Sequence, residues 1–123
     1  MQLEETAYNI AKFMNYARAK AVAERLRTKL NFDYEIRKYW LTTNSDPRRP
    51  DYFEPLKGRL GKFYAIPRNI KITGEKPFLI FYPNGRSEDF QLFLRLQKQE
   101  GEKIKLIEVK KETGEAYVQD YKE

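Results

Sequence analysis

Cysteine and histidine are both absent from this chain of 123 residues, and serine occurs only at Ser45 and Ser87. Without them there is no thiolate chemistry, no imidazole base and no ordinary zinc, copper or haem site. The missing cysteines name no compartment, because reducing and oxidising environments both tolerate such proteins. No apolar run approaches the roughly 20 residues that span a bilayer. No signal peptide follows Met1, so the chain as written is expected to be soluble. The six glycines are scattered, and none builds a phosphate-cradling loop. The carboxylate groupings Glu4/Glu5, Glu88/Asp89 and Asp46/Asp51/Glu54 show no pattern that would converge on a metal or a glycosidic bond. No catalytic, metal-binding or cofactor-binding residue is therefore assigned, no cofactor is expected, and an enzyme is not expected.

What is present is a globular composition, 41% apolar and 34% charged. The length suits one domain with one modest core, over residues 1–123. The formal net charge is +6. Its excess is densest from Lys12 to Lys29, where six basic residues face only Glu24, whereas residues 91–123 are balanced. A mixed surface of this kind serves solubility. A basic cluster also admits an anionic partner such as DNA. The residues that would supply it are Lys12, Arg18, Lys20, Arg25, Arg27, Arg48 and Arg49.

Residues 1–29 read as one amphipathic helix. Leu3, Ala7, Ile10, Met14, Ala17 and Ala21 recur at steps of four and three, which draws a stripe along one side. Arg25, Arg27 and Lys29 would complement the dipole at its C-terminal end. Most of the stripe is expected to dock on a sheet. Its small residues would also let a second helix approach closely, which makes these six positions a candidate assembly face. The pattern starts abruptly at Leu3 without a good cap, as if a longer helix were cut in its middle.

After Leu30 the period changes to two. Leu30, Phe32, Tyr34 and Ile36 alternate with polar residues, and Tyr39–Thr43 continues as a further strand. Residues 44–62 hold Pro47, Pro50, Pro55, Gly58 and Gly61 and read as an irregular segment. Beyond it come strands at Asn69–Thr73, Phe78–Tyr82, Phe90–Leu96, Ile104–Val109 and Ala116–Tyr121. The unbroken run Phe78–Tyr82 predicts a strand covered on both sides. Asn84-Gly85 marks a tight turn. The fold class expected is α+β: a long N-terminal helix packed on an antiparallel sheet, or on two sheets, forming a β-rich head over residues 30–123. Lys38-Tyr39-Trp40 and Lys62-Phe63-Tyr64 interleave cations with rings, as stacking platforms for nucleic acid do, although strand aromatics are also ordinary core residues.

The order of these parts resembles the GspH/FimT group of minor pseudopilins, within the type IV pilins and type II secretion pseudopilins. The resemblance rests on Phe13–Val22 with its Ala17-Arg18, and on Ile80-Phe81-Tyr82-Pro83-Asn84-Gly85. Asn69–Ile72, Ile107–Val109 and Thr113–Val118 follow in the expected order. The resemblance implies a structural subunit of a secretion pseudopilus or pilus-like fibre. Its partners would be other pseudopilins or minor pilins, and secretion cargo is a further class the resemblance allows. It implies a full-length protein anchored in the inner membrane by an apolar helix half that this chain lacks, with a periplasmic head. The alternative within the group is a FimT-like minor pilin that binds DNA through a basic surface; outside it, a soluble nucleic-acid-binding module.

Overall fold

The computed structural model describes residues 2–56 and 58–122. Met1, Lys57 and Glu123, which fall at the expected helix start, in the irregular segment and at the end of the head, lie outside the described residues. Helix α1 runs over Gln2–Glu24. Among the described residues nine strands follow: β1 (Arg27–Asp33), β2 (Lys38–Asn44), β3 (Glu54–Pro55), β4 (Tyr64–Ala65), β5 (Ile70–Gly74), β6 (Phe78–Phe81), β7 (Phe90–Lys98), β8 (Gly101–Val109) and β9 (Ala116–Tyr121). They form two antiparallel sheets. The first has the order β3-β2-β1-β6, with β4 also on β2, and the second the order β5-β7-β8-β9. The α+β expectation holds, in its two-sheet form.

The core lies between the helix stripe and the inner faces of both sheets. Leu30, Phe32, Leu41, Leu79 and Phe81 come from the first sheet, and Ile70, Ile72, Phe90, Leu92, Leu94, Ile107 and Val109 from the second. Pairing explains which residues point inward. Leu30 faces Leu41 on one side and Leu79 on the other, while Leu92 faces Ile107. Strand side chains alternate, so each such pair sends its neighbours to the opposite face.

The helix is shorter than its periodicity predicts. It stops at Glu24, not near residue 29. Arg25 takes a left-handed conformation (φ 55°), and the Leu26 N–H closes the end on the Ala21 carbonyl at 3.2 Å. Such a cap reverses the chain. The reason is burial: Thr28, Leu30 and Phe32 already alternate inward, and a helix could not place all three on one face. Arg25, Arg27 and Lys29 therefore lie beyond the helix and no basic residue occupies its last turn. The first strand is likewise displaced. Asp33 Oδ1 accepts the N–H groups of Glu35 and Ile36, and Arg37 (φ 62°) completes the turn, so Tyr34 and Ile36 belong to the hairpin loop. Arg37 then donates to the carbonyls of Pro67 and Ile70, tying this loop to the start of β5.

Strand β6 is not covered equally on both sides. Leu79 and Phe81 are buried, whereas Phe78 and Ile80 are half-buried on the outer face. The irregular segment is mostly loop, as expected, with β3 and a 3-10 turn at Gly58–Gly61 inside it.

Candidate interaction surfaces

Three sequence stretches far apart in the chain meet at one point. Arg18 Nε, on α1, donates to the Gly85 carbonyl at 3.0 Å and to the Thr113 carbonyl at 2.7 Å. Gly85 ends the turn between β6 and β7, and Thr113 lies in the turn between β8 and β9. Asn15, one helical turn before Arg18, accepts the Ala116 N–H at 3.1 Å. A charged donor shared by two carbonyls is a strong, directional tether. It fixes the helix to both turns. Arg18 thus holds the head together and is not a free cation for a ligand.

The stripe foreseen as a candidate assembly face is inside the molecule. Ala7, Ile10, Met14, Ala17 and Ala21 have no exposed surface, and Leu3 is 3% exposed. Two sheets, not one, close over the helix, which consumes the whole stripe. No neighbouring subunit reaches these six side chains without unfolding the head. The helix face left open carries Tyr8, Lys12, Tyr16 and Val22, with Tyr8 61% exposed. Lys12 sits over the Tyr8 ring at 5.8 Å.

The seven cations named for an anionic partner do not form one patch. Lys20 pairs with Glu24 at 2.5 Å, and Arg48 with Asp46 at 3.4 Å. Arg18 is tied to carbonyls, as described. Lys12 lies over the Tyr8 ring, apart from Arg25 and Arg27, because the chain leaves the helix at Arg25. Arg25 and Arg27 line a small cavity of about 160 Å³ with Ser45 and three prolines. Arg49 packs over the Tyr52 ring at 4.1 Å. The two expected aromatic platforms divide between faces. Tyr39 and Tyr64 turn inward around Phe13, whereas Trp40 and Phe63 stack on each other outside, at 4.5 Å. Lys29 and Lys38, absent from the seven, share that outer face with Arg27. Strand alternation opposite Thr28, Leu30 and Phe32 would have placed them there.

Burial pushes the phenols of Tyr34 and Tyr39 up to about 12, the latter helped by neighbouring Tyr64. The Tyr34 hydroxyl also donates to the Lys76 carbonyl at 2.6 Å. In the unfolded chain both would ionise near pH 10. The folded state holds these protons longer, so their contribution is intact below pH 10 and is lost as pH rises towards 12. The urea midpoint is expected to fall over that window, and Tyr39→Phe should flatten the fall. An unchanged slope in the variant would refute the assignment.

Among the described residues no group of three potential metal ligands converges. No described helix is long and apolar enough to cross a membrane. The whole architecture, with a leading helix enclosed by two antiparallel sheets, has counterparts among solved structures. It superposes on the minor pseudopilin EpsH from the type II secretion system of Vibrio cholerae with a TM-score of 0.75. Identity is 9%, and the match covers 98% of this chain and 97% of that one. The fold is that of a minor pseudopilin.

The type IV minor pilin FimU of Pseudomonas aeruginosa is also similar, with a TM-score of 0.62 and 14% identity over 98% of this chain and 88% of that one. No family model and no curated protein sequence matches the chain. The GspH-like pseudopilin fold is thus reached here with little sequence in common. Ala17-Arg18, Pro83-Asn84-Gly85 and Thr113-Gly114, which carry the resemblance in sequence, are the stretches joined through Arg18. Their part in this pseudopilin fold is to hold the head closed.

Proposed function

We propose that this chain is the head of a minor pseudopilin, a non-enzymatic subunit of a type II secretion pseudopilus or pilus-like fibre. The observation that carries the reading is the near full-length match of the fold to EpsH. The open helix face supports it, since exposed Tyr8, Tyr16 and Val22 have no role inside the head. In the full-length protein an apolar helix half would continue upstream and anchor the subunit in the inner membrane. The head would face the periplasm. Neighbouring pseudopilins would pack against the Tyr8 and Tyr16 side of the helix.

The absence of cysteine makes the test clean. Tyr8→Cys or Tyr16→Cys in the full-length protein, in its native host, places one thiol in the head. A heterobifunctional reagent, thiol-reactive at one end and photoactivated at the other so that it inserts into a neighbouring side chain, is expected to join it to another fibre subunit. Ala17→Cys, with no exposed surface, should give no product. Failure of both tyrosine positions to cross-link in an active secretion or pilus system would refute the reading.

A further inference from the structure

The outer face of the first sheet combines positive charge with aromatic rings. Arg27 and Lys29 lie on it from β1, Lys38 and Trp40 from β2, and Phe78 from β6, all in the register opposite to the core positions; Thr42 and Asn44 share that register and are covered, Asn44 by the loop whose Arg49 and Tyr52 carbonyls it binds. Among the described strand residues the single carboxylate in that register is Asp33, directly across from Lys38 but not in an ion pair with it, its Oδ1 accepting two backbone N–H groups; Glu88 reaches the rim of the face at the Tyr82 hydroxyl, 3.4 Å away. Glu54 pairs with Thr43 and so belongs to the inner register. The loop over one end adds both Arg49 and Asp51, which leaves the balance unchanged. Among the described residues no ion pair neutralises Arg27, Lys29 or Lys38.

Arg27 and Lys29 are held by rings instead. The Lys29 ammonium lies between Phe53 at 4.7 Å and Phe78 at 4.4 Å, and Arg27 lies over Tyr82 at 5.7 Å. Cation–π contacts fix a cation without cancelling its charge. One face each of Phe53, Phe78 and Tyr82 is thereby occupied, and Trp40 and Phe63 cover one face of each other. The surface thus presents unneutralised cations beside rings that already have one face taken, which leaves less ring face for a base to stack on. That favours carboxylates over the stacked bases of a nucleic acid. The groups are also pre-ordered, which lowers the entropic cost of docking. Aromatic and arginine side chains are the usual anchors of protein interfaces.

We propose that this face is a docking surface for an acidic, carboxylate-rich segment of a protein partner. The inference stands on the sheet alone and does not depend on fibre assembly.

Trp40 is the one tryptophan in the chain and lies on this face, so its fluorescence reports occupancy directly. Poly-L-glutamate and an oligo-dT strand are the probes, each titrated at low and high salt. Poly-L-glutamate is expected to shift Trp40 emission saturably and to bind more weakly as salt rises. Arg27→Glu/Lys38→Glu should weaken it by about tenfold or more, with circular dichroism confirming that the variant is folded. Lys38→Gln alone gives a milder check if the double variant does not fold. Lys12→Glu, on the opposite helix surface, should leave binding unchanged. Tighter binding of oligo-dT would overturn the proposal in favour of nucleic acid. Equal loss in Lys12→Glu would overturn it in favour of diffuse charge. No emission change with either probe would also overturn it.

Discussion

Gly114→Ala is expected to lower the unfolding free energy by about 2–5 kcal/mol, read as a reduced urea midpoint at unchanged slope. Two effects add. Gly114 has φ 68°, where a side chain costs roughly 1–2 kcal/mol. A Cβ there would also lie 2.2 Å from the Gly85 carbonyl oxygen and 3.2 Å from the Arg18 side chain. The methyl group would displace the oxygen that Arg18 holds, so the helix tether would loosen with the turn. Arg18→Met tests the other side of the same contact. It removes the donor and leaves two carbonyls without it, at a cost of roughly 1–3 kcal/mol. The two losses should not sum in the double variant, because both act on one contact. Full additivity, or a Gly114→Ala midpoint equal to that of the parent, would show that the three segments are not joined as described.

Met14→Lys is expected to abolish folding of the head, and Tyr16→Lys to leave it within about 0.5 kcal/mol of the parent. The two positions are two residues apart on one helix and differ in what covers them. Met14 has no exposed surface and lies in the core cluster with residues of both sheets. A lysine there would be an uncompensated charge in an apolar site, costing several kcal/mol, a large share of the roughly 5–15 kcal/mol that holds such a domain together. Tyr16 is 39% exposed and tolerates a polar substituent. A folded, stable Met14→Lys protein would mean that the stripe is an open assembly face after all. Circular dichroism and thermal melting of the isolated chain separate the outcomes.

The cation positions illustrate how a linear count misleads. Lys12 to Lys29 looks like one basic run in sequence, and it would be one patch on a straight helix. The left-handed turn at Arg25 ends the helix, so the first half of the run stays on α1 and Arg27 and Lys29 pass to the outer face of a sheet. Arg18, in the middle of the run, is drawn inward by carbonyls from residues 85 and 113. Nothing local to residues 12–29 encodes those partners. The aromatic segments behave alike. Lys38-Tyr39-Trp40 and Lys62-Phe63-Tyr64 each hold one ring of either face, and only strand register decides which ring pairs with which.

By itself, the sequence determined the α+β class, the leading helix with its apolar stripe, the β6–β7 turn at Gly85 and the last two strands, β8 and β9. These follow from short-range rules: a period of 3.6 or 2, and the dihedral freedom of a glycine. It also carried, in Ala17-Arg18, Asn84-Gly85 and Thr113-Gly114, the residues of the tether without their meeting point. Tertiary structure alone decided that two sheets enclose the helix, that the stripe has no surface left for a neighbour, and that Lys29 and Lys38 join Arg27 beside Trp40. The physical reason is range. Side-chain periodicity is set by neighbours a few residues away, whereas burial and pairing depend on chain segments that loop closure brings together from as far as 101 residues apart.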